Sequence, residues 1–305
     1  MSTLHPSTKF ERIESLQFDY SAQPKQPMQN CNLCGSDRWV VITQRDRYGF
    51  PAKATTCANC GLTRLNPPMT SEAYTDFYIN TYRPLVSAYH GRLIDAKSIQ
   101  GEQVSYAESY IEFARPFITP GHQTLLDVGG STGIVAIEFQ KAFGLKPTII
   151  DPAPAEIAEA DRYNLETITG FVEEWDHLGQ TYDVIGLFQT IDHLLDVQKT
   201  LSKLREVISP NGLFLVDIVD FRAAYLRNNS VEEAVKIDHV FSLTEQTAEA
   251  LFLSHGFEWI RKSYSADHLH VAYVCRPVDP RPFSLPRQDW VESHLNEIRK
   301  VQNSR

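Results

Sequence analysis

Long apolar runs are missing from this 305-residue chain. No stretch reaches the roughly 18 residues that a membrane-spanning helix needs, and the N-terminus lacks the apolar core of a secretory signal. Surplus positive charge is missing as well. Lys and Arg number 29 against 38 Asp and Glu, a net charge of −9. This argues against a dedicated nucleic-acid binder, whose footprint is basic. Cysteine is scarce, with five in all. That count fits a reducing compartment better than a disulfide framework, so the chain is read as cytoplasmic. At 42% hydrophobic and 22% charged residues, the composition is that of an ordinary globular protein.

Four of the five cysteines form two matched hooks, Cys31-Asn32-Leu33-Cys34-Gly35 and Cys57-Ala58-Asn59-Cys60-Gly61, with 22 residues between them. Four soft thiolates at this spacing are the donor set of a tetrahedral zinc ion in a ribbon. The glycine after each second cysteine lets the backbone curl at positive φ. A redox dithiol would use one hook. The pattern predicts structural Zn²⁺ on Cys31, Cys34, Cys57 and Cys60. It marks a domain and not a reaction.

Composition and punctuation divide the chain into a loose polar tail (1–30), the ribbon (31–68), a helical lid or linker (69–120), a large α/β domain (121–278) and a helical tail (279–305). A β-like stretch, Trp39–Thr43, lies between the hooks. Thr70 or Ser71 can cap a helix running through Tyr78, and 85–118 reads mostly as helix. Strands are then expected at Thr124–Val128, Thr148–Ile150, Val184–Phe188 and Leu213–Val219. Helices are expected at Ile134–Phe143, Ala155–Tyr163, Val197–Ile208 and Thr244–Ser254. Such alternation means a doubly wound, Rossmann-like sheet. Phe257–Tyr264 and His270–Val274, with no helix between them, should close it as an antiparallel hairpin. Residues 288–301 have helical spacing.

The first of these strands runs into Asp127-Val128-Gly129-Gly130-Ser131-Thr132-Gly133. Glycines there let a ligand approach the backbone at the carboxyl edge of the sheet. The dinucleotide fingerprint Gly-x-Gly-x-x-Gly fails at Ser131 and Ile134. The Asp-x-Gly-x-x-x-Gly arrangement resembles motif I of class I S-adenosylmethionine (SAM) methyltransferases. The resemblance continues in order over about 120–275: Asp151 ending the second strand, Val172 and Glu173 where the family frames adenine, Gln189 after the Val184–Phe188 strand, and the Pro210-Asn211-Gly212 turn. It implies SAM as cofactor. Gly129, Gly130 and Gly133 would lie along its amino-acid tail, with Asp127 near the amino group and Asp151 on the ribose.

Tyr74, Phe77-Tyr78 and Tyr82-Arg83-Pro84 follow the ribbon, and Ile237-Asp238-His239-Val240-Phe241-Ser242 leads into the penultimate helix. This layout is similar to that of bacterial sugar C-methyltransferases acting on nucleotide-linked keto sugars. The chain differs from that pattern in having Asp for Glu at 238, one residue between His239 and Phe-Ser, and no further C-terminal domain. The resemblance implies His239 as base, Asp238 beside it, His193 at the cofactor shelf, and Tyr78 or Tyr82 in the lid. The acceptor is then a small molecule, a saccharide or nucleotide-linked sugar, methylated on carbon or oxygen. Two other functions fit parts of the pattern: an RNA methyltransferase with a zinc-finger module, and an inactive SAM-fold binding protein. Neither a nucleic-acid nor a membrane partner is expected. His268 and His270 fall on the last hairpin.

Overall fold

The computed structural model describes residues 8–279 and 282–304. Of the expected loose tail, residues 1–7 lie outside that range. The rest is ordered, contrary to expectation. Thr8 and Glu11 close a capping box that starts α1 (Lys9–Glu14). Ile13 and Tyr20 are buried, and the Phe18 ring packs 5.6 Å from both Phe50 and Phe77. Apolar anchors so irregularly spaced show no period in the sequence.

The first cysteine hook precedes β1 (Trp39–Thr43) and the second joins β2 (Ala54–Cys57) to β3 (Thr63–Leu65), the three strands forming an antiparallel meander. Thr70 caps α2 (Ser71–Asn80) through the Ala73 N–H. The helical run expected over 85–118 is split into α3 (Tyr82–His90), ended by Gly91 at φ 68°, and α4 (Gln100–Ala114). The α/β part follows with β4 (Thr124–Val128), α5 (Ile134–Phe143), β5 (Lys146–Asp151), α6 (Pro154–Asp161), β6 (Glu166–Thr169), β7 (Tyr182–Leu187), α7 (Val197–Val207) and β8 (Ile208–Val219). Then come α8 (Phe221–Asn228), β9 (Phe241–Ser242), α9 (Glu245–Ser254), β10 (Phe257–Tyr264), β11 (His270–Pro277) and α10 (Gln288–Asn303).

Seven strands form one sheet in the order β10-β11-β8-β7-β4-β5-β6. β6, β5, β4, β7 and β8 are parallel, and β11 runs antiparallel to both β8 and β10. The fold is thus the expected α/β Rossmann-like sheet with a terminal hairpin. Its inner parallel strands β4, β5 and β7 are buried on both faces and read as apolar runs for that reason. Tyr182 pairs with Ile208 and Val184 with Leu213, so Ser209–Gly212 bulge out of β8 instead of preceding it. The amphipathic α7 is capped by Asp196 and buries Val197, Leu201, Leu204 and Val207. The chain leaves β4 toward β5 and β6, then returns to β7 on the other side. That reversal puts the binding crevice of an open α/β sheet at the carboxyl ends of β4 and β7.

β9 pairs with β3 and so becomes the fourth strand of the cysteine module. One apolar core runs without a break from Cys31 and Leu62 through Leu187 and Phe241 to Val301. The ribbon and the large sheet share this core, whereas separate cores would be expected of independent modules.

Candidate functional site

In the hooks, the N–H groups of Gly35 and Gly61 donate to the Cys31 and Cys57 carbonyls, each at 2.9 Å. The N–H groups of Leu33 and Asn59 point at Cys31 Sγ and Cys57 Sγ, each at 3.4 Å. The two hooks therefore repeat one geometry, with Gly35 and Gly61 at φ 71° and 80°. All four sulfurs lie within 4.8 Å of one another. The Cys31–Cys60 and Cys34–Cys57 separations are 3.5 and 3.6 Å. Zinc–sulfur bonds of about 2.3 Å in a tetrahedron put sulfurs roughly 3.8 Å apart, so these residues fit the ion. No disulfide forms, and Cys275 is a buried free thiol.

At the end of β4, the Asp127 carboxylate is fully buried with neither oxygen hydrogen-bonded. Burial pushes its pKa up to about 7. An orphaned acid beneath a glycine loop suits a ligand that brings its own cation. A Cβ on Gly130 would sit 2.8 Å from Asp127 Cγ, and one on Gly129 would sit 2.5 Å from the Thr190 side chain. Glycine lets this loop lie against both β4 and the turn after β7. Gly133 caps the start of α5. Asp151, at the end of β5, accepts from the Ser131 N–H at 3.0 Å and the Ala153 N–H at 2.8 Å. Burial raises its pKa to about 6. A SAM-like cofactor fits this cradle.

Glu173 is buried and accepts from the Leu195 and Asp196 N–H groups at 3.2 and 3.3 Å. It thus holds the turn after His193. Val172 beside it is buried. Gln189 follows β7 at φ 54°, and its N–H donates to Asp217 at 2.8 Å.

The structure brings His193, Asp238 and His239 together at the same edge. A 3₁₀ turn (Ile191–His193) after β7 carries the first, and the stretch before β9 carries the other two. The two imidazoles meet edge to face with centroids 4.5 Å apart. The Tyr78 hydroxyl lies 3.1 Å from His193 Nδ1 and donates to the Asp238 carbonyl at 3.4 Å. Tyr78 lies in the last turn of α2 and Tyr82 begins α3, so one helical step brings their rings edge to face at 5.4 Å. Tyr82 also meets the His193 ring at 6.1 Å. Both tyrosines are held protonated by burial. Arg83, the next residue, pairs with Glu156 at 2.9 Å and reaches Ser131 Oγ at 3.3 Å. The lid helices thereby join the histidines to the glycine loop.

His239 Nε2 lies 3.1 Å from the Lys236 ammonium. An ammonium only donates, so Nε2 accepts and the imidazole proton sits on Nδ1. That side faces Asp192 at 3.8 Å, and Asp238 Oδ2 is 3.7 Å from Nε2. His239 titrates well below 6.5, chiefly through burial and then through Lys236, His193 and Arg47. Burial likewise lowers His193, to about 4. Both rings are neutral at pH 7. Sequence reasoning missed Asp192, Lys236, Arg47 and Asp217. Asp217 carried a usable signal, as an acid embedded in an apolar strand like Asp127. It accepts from Tyr106 at 2.9 Å. Arg47 carried none, because it arrives from the cysteine module, where its N–H donates to Val235 and Asp46 accepts from Ile237.

Residues 100–262, more than half of the chain, match the family described as the methyltransferase domain. The chain belongs to the methyltransferase-domain family. The matched segment holds the glycine loop, Asp151, His193, Asp238 and His239. Among curated relatives, the chain is 24% identical over 252 residues to the C-methyltransferase NovU of Streptomyces niveus, covering 75% of this chain and 56% of NovU. It is 26% identical over 102 residues to a ubiquinone biosynthesis O-methyltransferase of Azorhizobium caulinodans, covering 32% of this chain and 40% of that one. It thus spans about half the length of the curated relatives it matches. Among solved structures, Streptomyces venezuelae DesVI superposes on 61% of this chain and 99% of its own, with TM-score 0.48 and 14% identity. No helix among the described residues is long and apolar enough to cross a membrane.

Proposed function

We propose that this methyltransferase domain moves a methyl group from SAM to a small-molecule acceptor, a saccharide or nucleotide-linked sugar, inside the chamber of His193, Asp238 and His239. When bound, SAM supplies an electrophilic methyl group on a sulfonium. Gly129, Gly130 and Gly133 give its amino-acid tail access to the backbone, and Asp127 offers the amino group an unpaired carboxylate. Asp151 keeps its remaining lone pairs for ribose hydroxyls. Val172, Glu173 and Gln189 wall the adenosine side.

His239 takes the acceptor's proton at Nε2 as the acceptor gains the methyl group. Asp238 and Asp192 flank the imidazolium that results. Tyr78 fixes the His193 ring, and Tyr82 shuts water out from above. Alignment of nucleophile and methyl group supplies most of the rate. The observation that carries this reading is a neutral, buried His239 packed edge to face on His193, its Nε2 lone pair held by the Lys236 ammonium alone. Cys31, Cys34, Cys57 and Cys60 hold a structural zinc ion, and the reduced cysteines suit the cytoplasm.

NovU is a C-methyltransferase by name, which supports carbon methylation ahead of oxygen. Methyl-labelled SAM offered with keto sugars, free and nucleotide-linked, tests the reading. Label should enter one of them, and His239→Ala should slow transfer by about 10²–10⁴-fold while cofactor affinity stays the same. Label entering only RNA would refute it.

A further inference from the structure

Beyond His239 the chamber opens into a cavity of about 440 Å³ between the start of β11, α8 and the loop that follows β1. That volume lies within the range of small-molecule sites. Two cations on its wall make no ion pair among the described residues. Arg47 stacks on the Tyr89 ring at 4.6 Å, and its Nε is buried with no hydrogen-bond partner. Lys236 makes its one hydrogen bond to the neutral His239 ring, with the Asp238 and Asp192 carboxylates near it but beyond ion-pair distance. His270, also on the wall, has a buried Nδ1 without a partner. Two of the three acids there are already engaged. Glu233 pairs with Lys9 at 2.9 Å and Asp267 with Arg227. Burial lifts Asp192 to about 7, which leaves much of it uncharged at neutral pH.

Two unpaired cations at a cavity wall imply a counter-ion that comes with the ligand. We propose that this cavity is the oxyanion subsite of the acceptor, with Arg47 and Lys236 gripping a phosphate or carboxylate group and so seating the atom to be methylated against His239. The inference rests on the acceptor chamber proposed above and names the class of molecule that enters it. Arg47 offers the fork geometry that suits planar or tetrahedral oxyanions, while Lys236 adds a point charge. His193, Asp238 and His239 offer ligand atoms close enough for a metal ion. However, the Lys236 ammonium sits on His239 Nε2 and Arg47 faces the same space. The surroundings repel a cation and favour an anion. An oxyanion on Lys236 also draws off the donor that caps the His239 lone pair. It cancels two of the charges that hold that imidazole below its ordinary range, so arrival of the acceptor prepares the base.

The test uses the full chain with five probes: pyrophosphate, inorganic phosphate, glucose 1-phosphate, glucuronate and neutral glucose. At least one anion should bind in calorimetry, and glucose alone should not. Phosphate-type probes binding best points to a phosphorylated or nucleotide-linked acceptor, whereas glucuronate binding best points to a carboxylate. Arg47→Gln and Lys236→Gln should each weaken that anion by about tenfold, the loss expected for a charge-assisted hydrogen bond. A readout on the unsubstituted chain needs no variant to fold. The bound anion should protect His239 from diethyl pyrocarbonate, and glucose should not. Absence of anion binding, or equal binding to both variants (a surface ion only), overturns the inference. S-adenosylhomocysteine is titrated alongside. Its failure to bind would strike the methyltransferase reading, whereas its binding without any anion strikes only the oxyanion subsite.

Discussion

Arg64 lies opposite Phe241 in the antiparallel pair of β3 and β9, two residues past His239. Its guanidinium is fully buried. It donates to Asn32 inside the first cysteine hook and stacks on the Phe241 ring at 5.1 Å. The cysteine module is therefore a wall of the chamber and part of its core. One zinc per chain is expected by elemental analysis. Cys57→Ser should lower the melting temperature of the whole chain as a single calorimetric transition and weaken acceptor turnover with it. Two separate transitions, the larger unchanged, would show that the modules fold independently.

Asp151 anchors the glycine loop through Ser131 and Ala153 and still has lone pairs to offer. Asp151→Ala should cost about 1–3 kcal/mol of S-adenosylhomocysteine binding in calorimetry, the range for lost hydrogen bonds to a charged group. Unchanged affinity would place the ribose elsewhere.

Tyr78 joins His193 to the Asp238 carbonyl through one hydroxyl. Tyr78→Phe should keep the ring contacts with Tyr74 and Tyr82 and remove only those links. Turnover should fall by about tenfold, the upper end for one hydrogen bond, with S-adenosylhomocysteine affinity unchanged. An unaltered rate would make the tyrosine a packing residue.

Local signals carried well to the structure. β1, β4, α5 and β10 lie where alternation, apolar runs and flanking glycines put them, because each is decided by its own residues and its own burial. Other elements were hidden. β6 is a half-buried edge strand with weak patterning. The Pro210-Asn211-Gly212 turn signal is satisfied by a bulge inside β8, a choice made by pairing with β7. α8 carried a readable cap in Asp220, with Phe221, Ala224 and Tyr225 at helical spacing. The candidate site divides in the same way. The glycine loop, Asp127 and Asp151 are consecutive signals on strand ends, and the histidines came with a resemblance. Arg47 becomes a neighbour of Lys236 and His239 only through docking of the β1–β2 loop on the 235–239 stretch, a contact across 191 residues.

The buried acids give a sign to the pH dependence of stability. In the fold, Asp46 titrates near 8 and Asp127 and Asp192 near 7, all raised chiefly by burial. Unfolded carboxyls are ionised above about pH 5. Between pH 6.5 and 8.5 the folded chain holds protons that the unfolded chain lacks, so stability falls as pH rises. His193, His239 and His294, lowered in the fold, act in the opposite sense, an effect that fades as pH rises through about 6.5. Thermal melts of the ligand-free chain should therefore shift downward from pH 6.5 to 8.5. Saturating SAM should flatten the part due to Asp127. A melting temperature rising with pH would contradict these assignments.

The central claim is that the cofactor loop and the histidine chamber form one active site. A crystal structure with S-adenosylhomocysteine tests it most directly. The account predicts its ribose on Asp151, its amino group at Asp127 and its sulfur facing the gap between Tyr82, His193 and His239. A sulfur turned away from those residues, or a ligand bound off the glycine loop, would contradict it.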